Sequence, residues 1–129
     1  MKKRVLVVDD SEAILDVVKM ALEMAGYEVS TSLTAACFQH MENDLPDLIL
    51  LDILLSGEDG GKMCQRLKDN EKTRHIPVIL LSAHAGLPET AGGCGANDFL
   101  AKPFRIITLR DIVKKYLGTE LDIAGWTTM

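Results

Sequence analysis

Five polar side chains in this 129-residue sequence stand at the ends of short apolar runs and could together bind a phosphoryl group. Asp9 and Asp10 end the first run, Asp52 ends the second, and Ser82 and Lys102 end two later runs. Three carboxylates with no histidine or cysteine beside them in sequence suit Mg²⁺ better than zinc. A lysine and a hydroxyl can then hold an anionic group next to the metal. The set predicts a phosphoryl site with a carboxylate nucleophile.

The apolar runs predict the strands that carry these residues. Residues 4–9, 47–52 and 77–82 are almost continuously apolar, which is typical of central strands covered on both faces. Residues 27–32 and 98–101 are shorter or more polar and predict edge strands.

Helical periodicity fills most of the sequence between these strands. After the first strand, apolar residues recur at helical spacing behind Ser11, a predicted N-cap, and Gly26 is placed to end that helix. The last helix has the same spacing, with Thr108 and Asp111 as a predicted capping box and Gly118 as its terminator. Shorter helices are predicted over residues 34–41 and 61–68.

Alternating strands and helices predict an α/β fold. We expect a flavodoxin-like, doubly wound parallel sheet of five strands in the order 2-1-3-4-5, with helices on both faces. Such sheets bind ligands at the carboxyl ends of their strands, near the point where the winding reverses. A lone aspartate at a strand end is more often a helix or turn cap. Five such residues at one sheet edge instead favour a functional site.

A glycine-rich stretch interrupts the pattern over residues 83–104. It leaves residues 88–94 for the fourth helix, and Gly92 and Gly93 within it each cost about 1 kcal/mol relative to alanine. We expect a short or irregular helix that shifts or orders upon phosphorylation or partner binding. A phosphate-binding loop is a poorer interpretation, because the stretch lacks the Gly-Lys-Ser/Thr ending of such loops.

Composition restricts the class of protein. The net charge is −5 and no long basic run is present, which argues against direct binding to nucleic acid. Cys37, Cys64 and Cys94 are odd in number and lack zinc-site spacing, so we expect reduced thiols. The first apolar run is too short for a signal peptide or membrane span. We therefore expect a soluble cytoplasmic protein without membrane partners, with one domain over residues 1–118 and a tail or linker stub over residues 119–129.

Four segments resemble, in order, the signature segments of response-regulator receiver domains: "VLVVDDSE", "PDLILLDILLSGEDGG", "VILLSA" and "ANDFLAKPF". The resemblance extends over residues 4–117. It implies a two-component phosphorelay in which Asp52 is the phospho-acceptor, charged by a sensor histidine kinase or a phosphotransfer protein. It also implies that Mg²⁺ is held by Asp9, Asp10, Asp52 and the backbone carbonyl of Leu54.

The same resemblance implies further roles. Ser82 and Lys102 would bind the phosphoryl oxygens, and Phe99 would change rotamer together with Ser82 between two states. The bond between Lys102 and Pro103 would be cis. The fourth helix, the fifth strand and the last helix would then form the face that binds a partner.

Two positions are expected to tune how long the phosphoryl group persists. Leu54 and His84 would flank the path of the hydrolytic water, and we hypothesise that Leu54 hinders that water. His84 is either part of this control or an exposed turn residue. Receiver domains usually carry a proline where this sequence has Ser56, which leaves the following loop less restrained.

Other classes of protein remain as alternatives. A haloacid-dehalogenase-type phosphohydrolase also uses an aspartate nucleophile, but it would need a second aspartate where Leu54 stands. A nucleotide- or flavin-binding module would need glycine after the first strand, where this sequence has "DDSE". Within the receiver class, the chain is either a stand-alone regulator or part of a hybrid kinase or larger regulator. We expect no enzymatic activity beyond self-phosphorylation and autodephosphorylation.

Overall fold

The computed structural model describes residues 2–41, 44–55, 58–83 and 93–118. Five parallel strands form one sheet, and their order across the sheet confirms the predicted order 2-1-3-4-5. Each observed strand agrees with its predicted range to within one residue. The strands are β1 Arg4–Val8, β2 Glu28–Ser32, β3 Leu48–Asp52, β6 Val78–Ser82 and β7 Asp98–Ala101.

Apolar side chains cover both faces of the sheet, which explains the continuous apolar runs. Successive residues of a strand point to opposite faces. On one face the strands contribute Leu6, Val8, Ile49, Leu51, Val78 and Leu80 to a core that includes Cys64 and Leu67. On the other face they contribute Val5, Val7, Leu48, Leu50, Ile79 and Leu81 to a core that includes Leu22, Leu109 and Val113.

The first helix, α1 (Glu12–Met24), begins as predicted. The Ser11 hydroxyl accepts a hydrogen bond from the Ile14 amide at 3.3 Å and caps the helix. Gly26 follows the helix with a φ of 100°, a left-handed conformation that favours glycine. Residues 34–41 were predicted to form a short helix, and they do contain one, Ala35–His40, which Thr34 caps; it is a 3₁₀ helix rather than an α-helix.

The last helix, α3 (Ile106–Leu117), begins earlier than the capping box predicted. Arg105 is its N-cap and makes no side-chain capping bond, so the predicted role of Thr108 and Asp111 is wrong. The physical reason is that Ile106 packs against the buried core, which extends the helix toward the N-terminus. Gly118 ends this helix, as predicted, with a φ of 70°.

Two short strands after β3 were not predicted. The strands β4 (Leu54–Leu55) and β5 (Glu58–Asp59) form an antiparallel pair that leads directly into α2 (Gly60–Asp69). The carboxylate of Asp59 accepts hydrogen bonds from the Gly61 and Lys62 amides and caps α2.

Part of the predicted architecture lies outside the described residues. This applies to residues 88–92 of the predicted fourth helix and to the tail over residues 119–129, whereas residues 93 and 94 are described and helical. No helix within the described ranges is long and apolar enough to cross a membrane.

Candidate functional site

The parallel register brings the predicted site residues to one edge of the sheet. Asp52 and Ser82 are the last residues of β3 and β6, and both are buried. Asp9 and Asp10 follow β1, and Lys102 follows β7. The Lys102 amide donates a hydrogen bond to the Ser82 carbonyl at 2.9 Å, which extends the β6–β7 pairing into the site.

The three carboxylates form one cluster. One oxygen from each of Asp9, Asp10 and Asp52 lies within 4.8 Å of the others. Asp9 is 0% exposed, and its Oδ1 accepts a hydrogen bond from the Ser11 amide at 2.9 Å, which fixes the side chain. Asp10, in contrast, is exposed. A cluster that offers only oxygen atoms fits a hard divalent cation such as Mg²⁺.

Lys102 places a positive charge beside this cluster. Its Nζ lies 2.6 Å from Asp9 Oδ2 and 3.6 Å from Asp52 Oδ2. The peptide bond between Lys102 and Pro103 is cis, which is the isomer that the family resemblance implies. The ammonium thus offsets part of the repulsion among the carboxylates.

Burial raises the pKa of Asp52 above the ordinary value for an aspartate. The charges of Asp9 and Asp10 raise this pKa further, whereas the Leu54 amide and the Lys102 ammonium lower it. The Leu54 amide donates to Asp52 Oδ1 at 3.2 Å. The net effect is that ionised Asp52 is destabilised, and added positive charge at the site would favour its ionised form.

Asp52, Leu54, Ser82, Ala83 and Lys102 line an open depression of about 330 Å³. All of these except Ala83 were predicted site residues. Asp9 and Asp10 are close to the depression because their carboxylates cluster with that of Asp52. Leu54 is 60% exposed at the edge of the depression. A larger groove of about 420 Å³ lies between the 3₁₀ helix and α2 and is lined by none of these residues.

Two other predicted site residues, Phe99 and His84, do not line the depression as the structure describes it. Phe99 lies in β7, opposite Leu80 of β6. The residue is 40% exposed and does not line the depression. His84 and Ser56 lie outside the described residues.

Sequence reasoning missed the importance of Gly60. A Cβ placed on Gly60 would lie 2.1 Å from the backbone oxygen of Asp52, so only glycine fits here without movement. The Gly60 amide also donates to the Ile53 carbonyl at 2.8 Å. The paired glycines in "GEDGG", shortly after the acidic strand end, were the available signal.

The model of the response regulator receiver domain family matches residues 5–114. The chain belongs to this family. As a receiver domain it is a module of two-component signalling, in which response regulators receive phosphoryl groups from histidine kinases. The match gives no support to the phosphohydrolase alternative.

Individual relatives agree with this assignment. The chain is 44% identical over 112 residues to the response regulator PleD of Caulobacter vibrioides, a match that covers 84% of this chain and 25% of PleD. It is 36% identical over 121 residues to the polar-differentiation response regulator DivK of Brucella ovis, covering 92% of this chain and 98% of DivK. The chemotaxis protein CheY4 of Vibrio cholerae superimposes with a TM-score of 0.83 at 25% identity, covering 91% of this chain and 100% of that one. The chain thus spans about a quarter of PleD and nearly all of DivK.

Proposed function

We propose that the receiver domain accepts a phosphoryl group on Asp52 from a phosphohistidine of a sensor histidine kinase or a phosphotransfer protein. The observation that carries this proposal is the placement of Asp52 in an open depression beside Ser82 and Lys102. Asp9, by comparison, is wholly buried and bonded to Lys102 and the Ser11 amide, which leaves it poorly placed to attack an incoming group.

Asp9, Asp10, Asp52 and the Leu54 carbonyl are the proposed ligands of Mg²⁺. The oxygen-only donor set within 4.8 Å supports this role for the three aspartates. When bound, Mg²⁺ supplies positive charge that neutralises the phosphoryl oxygens.

The chain's own residues account for the rest of the transfer. A carboxylate oxygen of Asp52 attacks phosphorus in line, and the imidazole of the donor histidine leaves. The Nζ of Lys102 is 3.6 Å from Asp52 Oδ2, so Lys102 is placed to form an ion pair with a phosphoryl oxygen once Asp52 carries the phosphoryl group. The Ser82 hydroxyl donates a hydrogen bond to another phosphoryl oxygen. Water later hydrolyses the acyl phosphate, with Leu54 and His84 proposed to limit its access.

The conformational change that follows phosphorylation would be transmitted to partners through β7 and α3. When the Ser82 hydroxyl binds the phosphoryl group it moves toward Asp52, and we propose that the exposed Phe99 ring turns inward. The predicted fourth helix, β7 and α3 would then present an altered face to a downstream protein or a fused output domain. We place this exchange in the cytoplasm, with residues 1–118 as the receiver unit and residues 119–129 as a tail or linker stub.

A stoichiometric test separates a receiver from a phosphohydrolase. The chain is incubated with Mg²⁺ and radiolabelled acetyl phosphate, and both protein-bound and released phosphate are measured over time. A receiver reaches about one bound phosphoryl group per chain, and release follows the slow loss of that group. Rapid release over many turnovers with little bound label would contradict the proposal and favour the hydrolase.

A further inference from the structure

Cys64 and Cys94 lie together in the core, although 30 residues separate them in sequence. Cys64 belongs to α2 and is 0% exposed, and Cys94, shortly before β7, is 8% exposed. Cys64 Sγ lies 3.7 Å from the Cys94 carbonyl oxygen. Its thiol also interacts with the Cys94 thiol as a hydrogen-bonding partner. The fold therefore brings two of the three cysteines, which are far apart in sequence, into contact as a pair of thiols, called the dithiol below.

The backbone around this dithiol is well anchored. Lys68, one turn after Cys64 in α2, donates to the Ile76 carbonyl at 2.7 Å and to Asn97 Oδ1 at 2.6 Å. Asn97 Oδ1 in turn accepts from the Val78 amide at 3.0 Å. These bonds connect α2 to the start of β6 and to the residues before β7, so the two cysteines are held on mutually fixed elements.

We propose that Cys64 and Cys94 form a reversible disulfide that links α2 to the segment before β7. The oxidant is a small peroxide. Cys94 is the more exposed residue of the two. Its sulfur attacks a peroxide oxygen, and hydrogen peroxide is cleaved to give a sulfenic acid and water. The Cys64 sulfur then attacks the sulfenic sulfur and a second water leaves. Each thiol has lost one hydrogen, and a thiol reductant restores both.

The same surroundings slow the reaction of Cys64. Burial, together with the neighbouring Cys94, raises the pKa of Cys64 to about 12, while the Lys68 ammonium lowers it slightly. A neutral thiol is a poor nucleophile, so the attack of Cys64 on the sulfenic sulfur is slow. The bond forms under sustained oxidation, in contrast to fast sensors with acidic, exposed thiols.

The bond would restrain the part of the molecule through which the signal is proposed to leave. It would close a loop over residues 64–94 that contains β6 and Ser82. It would also fix the chain five residues before Phe99. Formation of this disulfide does not require phosphorylation at Asp52, so a failure of either one leaves the other unaffected.

The test uses the Cys37→Ser chain, in which Cys64 and Cys94 are the remaining cysteines. The folded protein is treated with hydrogen peroxide for several hours, alkylated in urea, and analysed by intact mass and tryptic mapping. We expect a monomer that carries no alkyl group and is about 2 Da lighter than the reduced, unalkylated chain, the mass of the two hydrogens lost. Trypsin should release residues 63–66 joined to residues 75–105, and dithiothreitol should separate them. The oxidised monomer should also melt at a higher temperature than the reduced one.

Two controls keep the result interpretable. Chains carrying Cys37→Ser with Cys64→Ala or Cys94→Ala cannot form the bond and should show neither the linked peptides nor the rise in melting temperature. The proposal is overturned if both thiols of the folded chain stay alkylatable under conditions that oxidise the same chain in urea. It is equally overturned if oxidation yields only linked dimers or overoxidised Cys94, or if the linked monomer melts at a lower temperature.

Discussion

The ammonium of Lys102 lies 2.6 Å from a carboxylate oxygen of Asp9, a residue with no exposed surface. This pair joins the residue after β1 to the residue after β7, across the width of the central sheet edge. Lys102 therefore has two roles: it compensates a buried charge in the resting domain and is proposed to bind the phosphoryl group in the active one.

Lys102→Met should destabilise the domain. Removing the ammonium leaves the buried Asp9 carboxylate without its charged partner, and we expect a loss of about 1–3 kcal/mol in the free energy of unfolding. Urea denaturation measures it. Lys115→Met is the matched control, because Lys115 pairs with Asp98 at the surface, where solvent screens such pairs and they contribute little to stability. Equal effects of the two substitutions would show that the Asp9 pair has no special importance.

Asp52→Asn should stabilise the domain at neutral pH in buffer with EDTA. Because the pKa of Asp52 is raised in the folded state, that state binds the proton more tightly than the unfolded chain does. Stability from this group is thus present at low pH and is lost as pH rises through the raised pKa. We expect the urea midpoint of Asp52→Asn to exceed that of wild type at pH 7, and the difference to shrink as the pH falls toward about 4.

The matched control for this comparison is Asp16→Asn, on the exposed side of α1. Its midpoint should follow that of wild type across the same pH range. A difference between Asp52→Asn and wild type that grows toward acid pH would contradict the assigned direction of the Asp52 shift.

Gly60→Ala should disturb the site through the backbone. The added Cβ would lie 2.1 Å from the backbone carbonyl oxygen of Asp52 and 2.7 Å from Ile53 Cα, so β3 or α2 must shift. We expect a loss of about 1–3 kcal/mol in unfolding free energy, as for other overpacked positions. At Gly93, by contrast, an added Cβ meets nothing within 4 Å, and Gly93→Ala should be neutral or slightly stabilising. Comparable losses for both would indicate that the close approach at Gly60 is easily relieved.

Much of this architecture could be predicted from the sequence, because the strong patterns are short and local. The buried strands are continuous apolar runs, and Asp9, Asp52 and Lys102 meet because parallel strands end at the same sheet edge. The predicted start of α3 was wrong because packing of Ile106 against the core outweighed the capping signal of Thr108.

Other features depend on contacts between distant residues, and local patterns do not encode these. The proximity of Cys64 to Cys94 and the exclusion of a side chain at Gly60 arise only when α2 packs against the sheet. The 3₁₀ geometry of residues 35–40 likewise differs from the α-helix that the spacing favoured.

Leu54→Asn should shorten the life of the phosphorylated form. Leu54 is exposed at the edge of the depression that holds Asp52, so a polar side chain there admits and orients water. We expect dephosphorylation to accelerate several-fold, which corresponds to about 1 kcal/mol in the barrier. Decay of labelled protein after donor removal measures this rate. Met24→Asn, an exposed apolar residue at the far end of α1, should leave the rate unchanged. Unaltered decay in Leu54→Asn would show that Leu54 does not control water access.

The central claim is that Asp52 carries the phosphoryl group, and intact-mass spectrometry after incubation with Mg²⁺ and acetyl phosphate tests it most directly. Wild type and Asp16→Asn should each gain about 80 Da, the mass of one phosphoryl group, and Asp52→Asn should gain nothing. The melting curve of Asp52→Asn establishes that the variant is folded. Phosphorylation of Asp52→Asn to the wild-type extent, or a wild-type chain that gains no mass, would contradict the account.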